Sequence, residues 1–248
     1  MSSANKSRVL VVVEGEKTDA RLMENLFSFF PELSSKYQIV AYRTNIYTLY
    51  QEFFLRGTDP EDLELIQVLK EHEQDPIKKA IFDDKYTDTL LIFDLDPQDS
   101  HFSADKIRQL QSYFTESSDM GKLYVNYPMV ESFYHMRSIP DADYNERIVN
   151  IDELKAKKYK QRVNQESFKR NYRRFCTSRT DFTIVVLQNI NKVRWLLNES
   201  DPSPEWKEID FLGLLSHQLS FIDEGFLYVV CTCVMYIYDY NHKLLYQT

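Results

Sequence analysis

Glycine is scarce in this sequence: five residues in 248, about 2% where roughly 7% is ordinary. That scarcity excludes the glycine-rich phosphate cradles. Neither G-x-x-x-x-G-K-[ST] nor G-x-G-x-x-G occurs, so ATP or NAD binding by those routes is excluded. Cysteine is equally sparse. Cys176, Cys231 and Cys233 form no C-x-x-C pair, which excludes a disulfide framework and fits a reducing, cytoplasmic location. The five histidines stand singly without H-E-x-x-H spacing, which argues against zinc. Any metal would then rest on oxygen ligands.

Long apolar runs are missing as well. The longest, Gly225 to Tyr238 (GFLYVVCTCVMYIY), has 14 residues. It is too short to span a bilayer and reads as a buried core element, with Cys231 and Cys233 inside it. The first residues, MSSANKSRVLVVVE, lack a signal-peptide pattern because the apolar run is short and ends in a carboxylate. What the chain has in plenty is aromatic residues, 17 Tyr, 16 Phe and 2 Trp, most of them expected in packing. With 43% hydrophobic and 27% charged residues, it can bury a core.

The net charge of −8 is unevenly spread. Residues 155–179 carry ten basic and one acidic side chain, a balance of +9, while the flanking regions carry −12 and −5. Lys155, Lys157, Lys158, Lys160, Arg162, Lys169, Arg170, Arg173 and Arg174 make this segment a candidate nucleic-acid-binding surface, DNA or RNA. The other reading is a solvated basic helix docked on an acidic body. Tyr159 and Tyr172 are the candidates for base stacking because of their basic neighbours.

Hydrophobic patterning predicts strands at Arg8–Val13, Tyr37–Tyr42, Thr89–Phe93 and Lys122–Asn126, separated by amphipathic helices. Thr18 is expected to cap the first helix, with Asp19 in its first turn. Helices are expected at 46–56, through most of 61–82, and at 103–117. After about residue 140 they follow at 142–160, 164–176, 181–198, 208–222 and 232–246. Continuous apolar strands alternating with helices predict an α/β fold with a mostly parallel sheet flanked by helices. Residues 1–140 are expected to form that domain, with the helical region 141–248 packed on it.

Carboxylates follow two of the strands. Glu14 comes after VLVVV, and Asp94 and Asp96 come after LLIF. Ligands of an open parallel sheet bind at this edge. Were the strand to continue, alternation would put Asp94 and Asp96 on one side, about 6–7 Å apart. Mg²⁺ or Mn²⁺ needs only two or three such ligands because it keeps several waters. A convergence of Glu14, Asp94 and Asp96 is more easily explained by a cation than by folding. For D-x-D alone, turn-capping aspartates are the alternative. Asp99 also reads as a turn residue or a ligand, and His135 as a core histidine or a phosphate contact.

The segments VVVEGEKTD and LLIFDLDPQD, about 80 residues apart, resemble the two motifs of the Toprim fold: strand–Glu–Gly–x–Lys–Thr–helix and strand–D-x-D. The resemblance covers roughly residues 8–135. Within that fold the chain is most similar to the small nucleases of the OLD and RloB-like kind, found in bacterial anti-phage systems. It lacks the length, zinc finger and tyrosine-transfer domain of topoisomerases and primases. Asp19 stands where Glu is frequent in the first motif.

The resemblance implies a Toprim-like domain at residues 1–140. It implies Asp94 and Asp96 as ligands of one or two Mg²⁺ or Mn²⁺ ions, with Glu14 as a further ligand or a general acid/base. Lys17 would stabilise phosphate charge. Glu131, in NYPMVESF, matches a Glu often found near this position and would complete a second metal site; alternatively it is a first-turn helix residue. The implied activity is metal-dependent hydrolysis of nucleic-acid phosphodiesters, as the effector of an anti-phage system with a separate ATPase subunit. A homo-oligomer is compatible with it, and a membrane is not involved. The alternatives are a non-catalytic subunit that binds nucleic acid or the ATPase, and a nuclease that processes structural RNA.

Overall fold

The structure, a computed structural model, describes residues 8–246 apart from Ser35, Thr58, Asp119, Asn171 and 200–206; the side chains of Tyr172 and Arg173 also lie outside the described set. The chain clusters into two compact units, residues 1–93 with 105–124, and residues 94–104 with 125–248. The fold is α/β, with a mostly parallel five-stranded sheet flanked by helices.

In the first unit, strand β1 (Arg8–Val13) is buried along five of its six residues. Helix α1 (Thr18–Phe29) follows, then β2 (Lys36–Ala41), α2 (Ile46–Phe54), α3 (Leu65–His72), α4 (Pro76–Lys79), β3 (Asp88–Asp94), α5 (Ala104–Tyr113), β4 (Thr115–Glu116) and β5 (Gly121–Asn126). The sheet order is β2-β1-β3-β5-β4. β1 runs parallel to both neighbours, with Val11 opposite Ile39 and Leu90. Having helices on its faces explains why β1 and β3 read as unbroken apolar runs instead of alternating ones.

Local chemistry places the element ends. Asn45 caps α2 by accepting from Thr48 N–H at 3.2 Å. The helical stretch expected over 61–82 is broken where Asp75 caps α4 and Pro76 opens it. Lys17, not Thr18, is the N-cap of α1, with no side-chain bond to the helix; Thr18 is the first helical residue. Helix α5 ends at Tyr113, short of residue 117, because Thr115 and Glu116 pair antiparallel with β5. That two-residue, exposed strand has no apolar alternation to announce it.

In the second unit, β6 (Ile148–Asn150) precedes α6 (Ile151–Lys155), α7 (Tyr159–Glu166), α8 (Tyr172–Phe175), α9 (Arg179–Leu196), α10 (Phe211–Asp223), β7 (Phe226–Tyr228) and α11 (Tyr236–Asn241). β6 and β7 pair antiparallel, Val149 opposite Leu227. So 142–160 is not one helix, since a three-residue strand interrupts it. Ser178 and Asp210 cap α9 and α10 by accepting from Asp181 and Gly213 N–H at 3.1 and 2.7 Å. Segments 94–104 and 125–140, expected with the sheet domain, cluster with the C-terminal half. The reason is local bonding: Tyr127 and Val230 exchange both backbone hydrogen bonds, at 2.8 and 2.9 Å. Phe168 N–H also donates to Met136 O at 2.7 Å.

The run 225–238 is core as expected, with Cys231 and Cys233 buried. No helix among the described residues is long and apolar enough to cross a membrane.

Candidate functional site: a carboxylate cluster with a lysine

The second unit builds its carboxylate cluster where β3 and β5 end. Asp94 is the last residue of β3 and is buried. Its Oδ1 accepts from Val130 N–H at 2.8 Å and lies 3.5 Å from Asn126 Nδ2. Asn126, the last residue of β5, is fully buried and is itself anchored. Its Oδ1 accepts from the N–H groups of Thr232 and Cys233 at 3.1 and 3.4 Å. The apolar 225–238 run therefore helps hold the amide that faces Asp94.

Two residues on, the strand geometry is gone. Leu95 N–H is shared between Asn126 O and Pro128 O at 3.1 and 3.0 Å, and Asp96 N–H reaches Pro128 O at 3.3 Å. Asp96 takes a left-handed φ of 43°, which aspartate tolerates better than most side chains. The alternation argument for D-x-D therefore fails at Asp96, because the carbonyls after β5 bend the chain out of the extended form. Asp96 Oδ1 accepts from Gln98 Nε2 at 2.8 Å. Burial pushes the Asp96 pKa up; Asp99 and Glu131 add to this, while Gln98 and Lys160 oppose it.

Glu131 lies in a short 3₁₀ turn, Val130–Tyr134. Its Oε1 is 3.0 Å from Lys160 Nζ. Its Oε2 is buried and has no hydrogen-bond partner among the described residues. Burial works against the charge of Lys160, but Glu131, with Asp94 and Asp96, outweighs it and holds the lysine pKa above its ordinary value. Thus Asp94, Asp96 and Glu131 form one electrostatic cluster, and its cation is a lysine that sequence reading assigned to nucleic-acid contact. Asp99 accepts from His101 N–H at 2.7 Å, which is its turn role.

Glu14 and Lys17 belong to the first unit. Glu14 follows β1, with its N–H on Ile92 O at 3.1 Å and its carbonyl accepting from Arg43 N–H at 3.2 Å. Lys17 is exposed. Between them, Gly15 leaves room for Asp19: a Cβ there would stand 2.6 Å from Asp19 Oδ2. Glu16 is exposed and paired with Arg43 at 2.6 Å and Lys78 at 3.2 Å; the Arg43 hydrogen bond first, then Lys78, holds its pKa down. Among the described residues, no three His, Cys, Asp or Glu side chains are arranged to hold a metal ion.

The basic segment is divided in its roles. Lys155, Lys157, Lys158, Lys169, Arg170 and Arg174 are exposed. Arg162 instead turns inward, donating to Ile148 O at 2.6 Å and pairing with Glu153 at 3.0 Å. The Arg173 side chain lies outside the described residues, as does that of Tyr172. Tyr159 is 1% exposed and cannot stack on a base; it packs edge-on against His135 instead. His135 is buried too, near Tyr159 Oη at 3.2 Å and Glu166 Oε2 at 3.3 Å. Burial first, then Arg162, Arg147, Lys192 and Arg137, push its pKa down to about 2. It is a core histidine, buried away from any phosphate.

Sequence reading missed Asn126 and the cluster role of Lys160. A polar residue ending the apolar KLYVN strand was the available signal for the first. Nothing within a run of ten basic residues distinguishes the second. No known protein family, curated protein or solved structure matches the chain.

Proposed function

We propose that this protein is a Toprim-like nuclease that hydrolyses nucleic-acid phosphodiesters with the help of Mg²⁺ or Mn²⁺. The observation that carries the reading is the grouping of Asp94, Asp96 and Glu131 after the ends of β3 and β5. The donor chemistry fits a hard cation: every ligand is a carboxylate oxygen, and one of them, Glu131 Oε2, is buried without a partner among the described residues. Asp94 and Asp96 would hold the ion, with Glu131 as the added ligand; the role of Glu14 rests on the motif resemblance alone. When bound, such an ion supplies charge neutralisation of the phosphate and activation of water.

The chain's own groups do the rest. The Val130 N–H and the Asn126 amide fix the Asp94 carboxylate in one orientation. The exposed Lys155, Lys157, Lys158, Lys169, Arg170 and Arg174 hold the substrate backbone. For Lys17, exposed at the start of α1, the motif resemblance alone implies a role toward phosphate charge. The motif resemblance supports an anti-phage effector role in the cytoplasm, worked with a separate ATPase.

The Lys160–Glu131 ion pair favours one second reading: a non-catalytic subunit whose carboxylates are neutralised internally and whose basic surface only binds nucleic acid. One experiment separates the two. Purified protein and Asp94→Ala/Asp96→Ala are incubated with plasmid, single-stranded DNA and total transfer RNA, each in Mg²⁺, Mn²⁺ or EDTA. The nuclease reading expects cutting that needs metal and both aspartates, with the susceptible polymer naming the substrate. Binding without cutting in every metal, by both proteins, supports the second.

A further inference from the structure

Carboxylates gathered in one partly buried place repel one another unless a cation or a proton offsets them. Here the Lys160 ammonium lies 3.0 Å from Glu131 and in electrostatic reach of Asp94 and Asp96. The ammonium meets Glu131 at Oε1 and leaves Oε2 buried without a hydrogen bond from any described residue. The lysine is also loosely held: its side chain is 62% exposed, so its stem has little packing to surrender when it swings away. With the ammonium in place, no three acidic side chains among the described residues are arranged around a metal position. The carboxylates are gathered, but around a lysine.

We propose that Lys160 is a resident counter-cation of the Asp94–Asp96–Glu131 cluster and that a divalent ion binds there by displacing it. The inference rests on reading the cluster as a metal site. It turns one member of the basic segment from a substrate contact into the residue that sets metal affinity. Removing the lysine charge removes the repulsion that an arriving cation meets, and keeping a charge of the same sign keeps that repulsion.

The test is calorimetric titration of the full chain with Mn²⁺ alone, without substrate. Lys160→Met keeps the stem and deletes the charge; Lys160→Arg keeps the charge. The Met variant is expected to bind Mn²⁺ about tenfold or more tightly than wild type, and the Arg variant within about twofold of wild type. Adding Asp94→Asn/Asp96→Asn to Lys160→Met should return binding to background. Near-ultraviolet circular dichroism checks the fold, and Lys160→Gln replaces the Met variant if that one misfolds. Equal or weaker Mn²⁺ binding by Lys160→Met, still abolished by the aspartate changes, overturns the displacement and leaves the metal site standing. No binding by wild type or Lys160→Met removes the metal site and the inference with it.

Discussion

Each unit holds a glutamate in an ion pair, and the two differ in what surrounds them. In the first unit, Glu16 is paired with Arg43 and Lys78 on an exposed surface, its side chain 52% accessible. In the second, Glu131 is paired with Lys160, but its side chain is only 14% accessible and two further carboxylates act on the same ammonium. Water and salt screen the first arrangement almost completely. The second is partly desolvated, so its charges are felt by one another and by anything that enters. The lesson is that the count of ion pairs says little here, and burial decides which pair can carry chemistry.

The exposed cations of the basic segment give the largest lever on this contrast, because a nucleic-acid contact is proposed for them although water screens them too. Replacing Lys155, Lys157, Lys158, Lys169 and Arg174 together by Gln should weaken nucleic-acid binding in filter-binding titrations. The slope of log affinity against log salt should shrink by about 0.7–0.9 for each phosphate that is no longer neutralised. An unchanged slope would show that these exposed cations make no phosphate contacts.

Next in size is the support beneath the cluster. Asn126→Ala leaves the buried N–H groups of Thr232 and Cys233 without their acceptor, at a cost of about 1–3 kcal/mol for each. Chemical denaturation should register a loss of a few kcal/mol. A loss under half a kcal/mol would mean that water or a shift of the 225–238 run replaces the amide.

The buried His135 sets a smaller, pH-dependent term. It stays neutral in the folded protein down to about pH 2, whereas its ordinary pKa is 6.5. Between those values the unfolded chain binds more protons, so stability falls as pH is lowered through that window. The slope is about 1.4 kcal/mol per pH unit. His135→Gln should flatten the dependence of unfolding free energy between pH 6 and 4. Equal slopes in the two proteins would show that the histidine is protonated in the fold.

The smallest effects test the contrast itself. A double-mutant cycle on Glu131→Gln and Lys160→Met should give a coupling on the order of 1 kcal/mol. The matching cycle on Glu16→Gln and Arg43→Met should give none that thermal melts resolve, and neither single change should move the midpoint. Equal couplings would erase the distinction between the units.

Much of the frame was legible in the sequence. β1 and β3 are unbroken apolar runs, and helices on both faces of a parallel sheet require that pattern. The place of Asp94 at the end of β3 was legible, and it drew notice because an ionisable side chain ending such a run is costly unless solvated or paired. The conformation of Asp96 was not, since its left-handed backbone depends on the Pro128 carbonyl, more than 30 residues away along the chain. β4, β6 and β7 span two or three residues, too few for any period to show. Tyr159 and His135 looked available beside basic neighbours, but burial is a tertiary property, and both are sealed in the core.

The most direct measurement is the cleavage rate of Asp94→Asn in Mn²⁺ beside that of wild type. The asparagine keeps an acceptor for Val130 N–H, so the fold should survive, as melting can verify. A metal held by Asp94 predicts metal-dependent cutting by wild type and a rate lower by roughly a hundredfold or more in a normally folded variant. A variant that cuts as fast as wild type would contradict it.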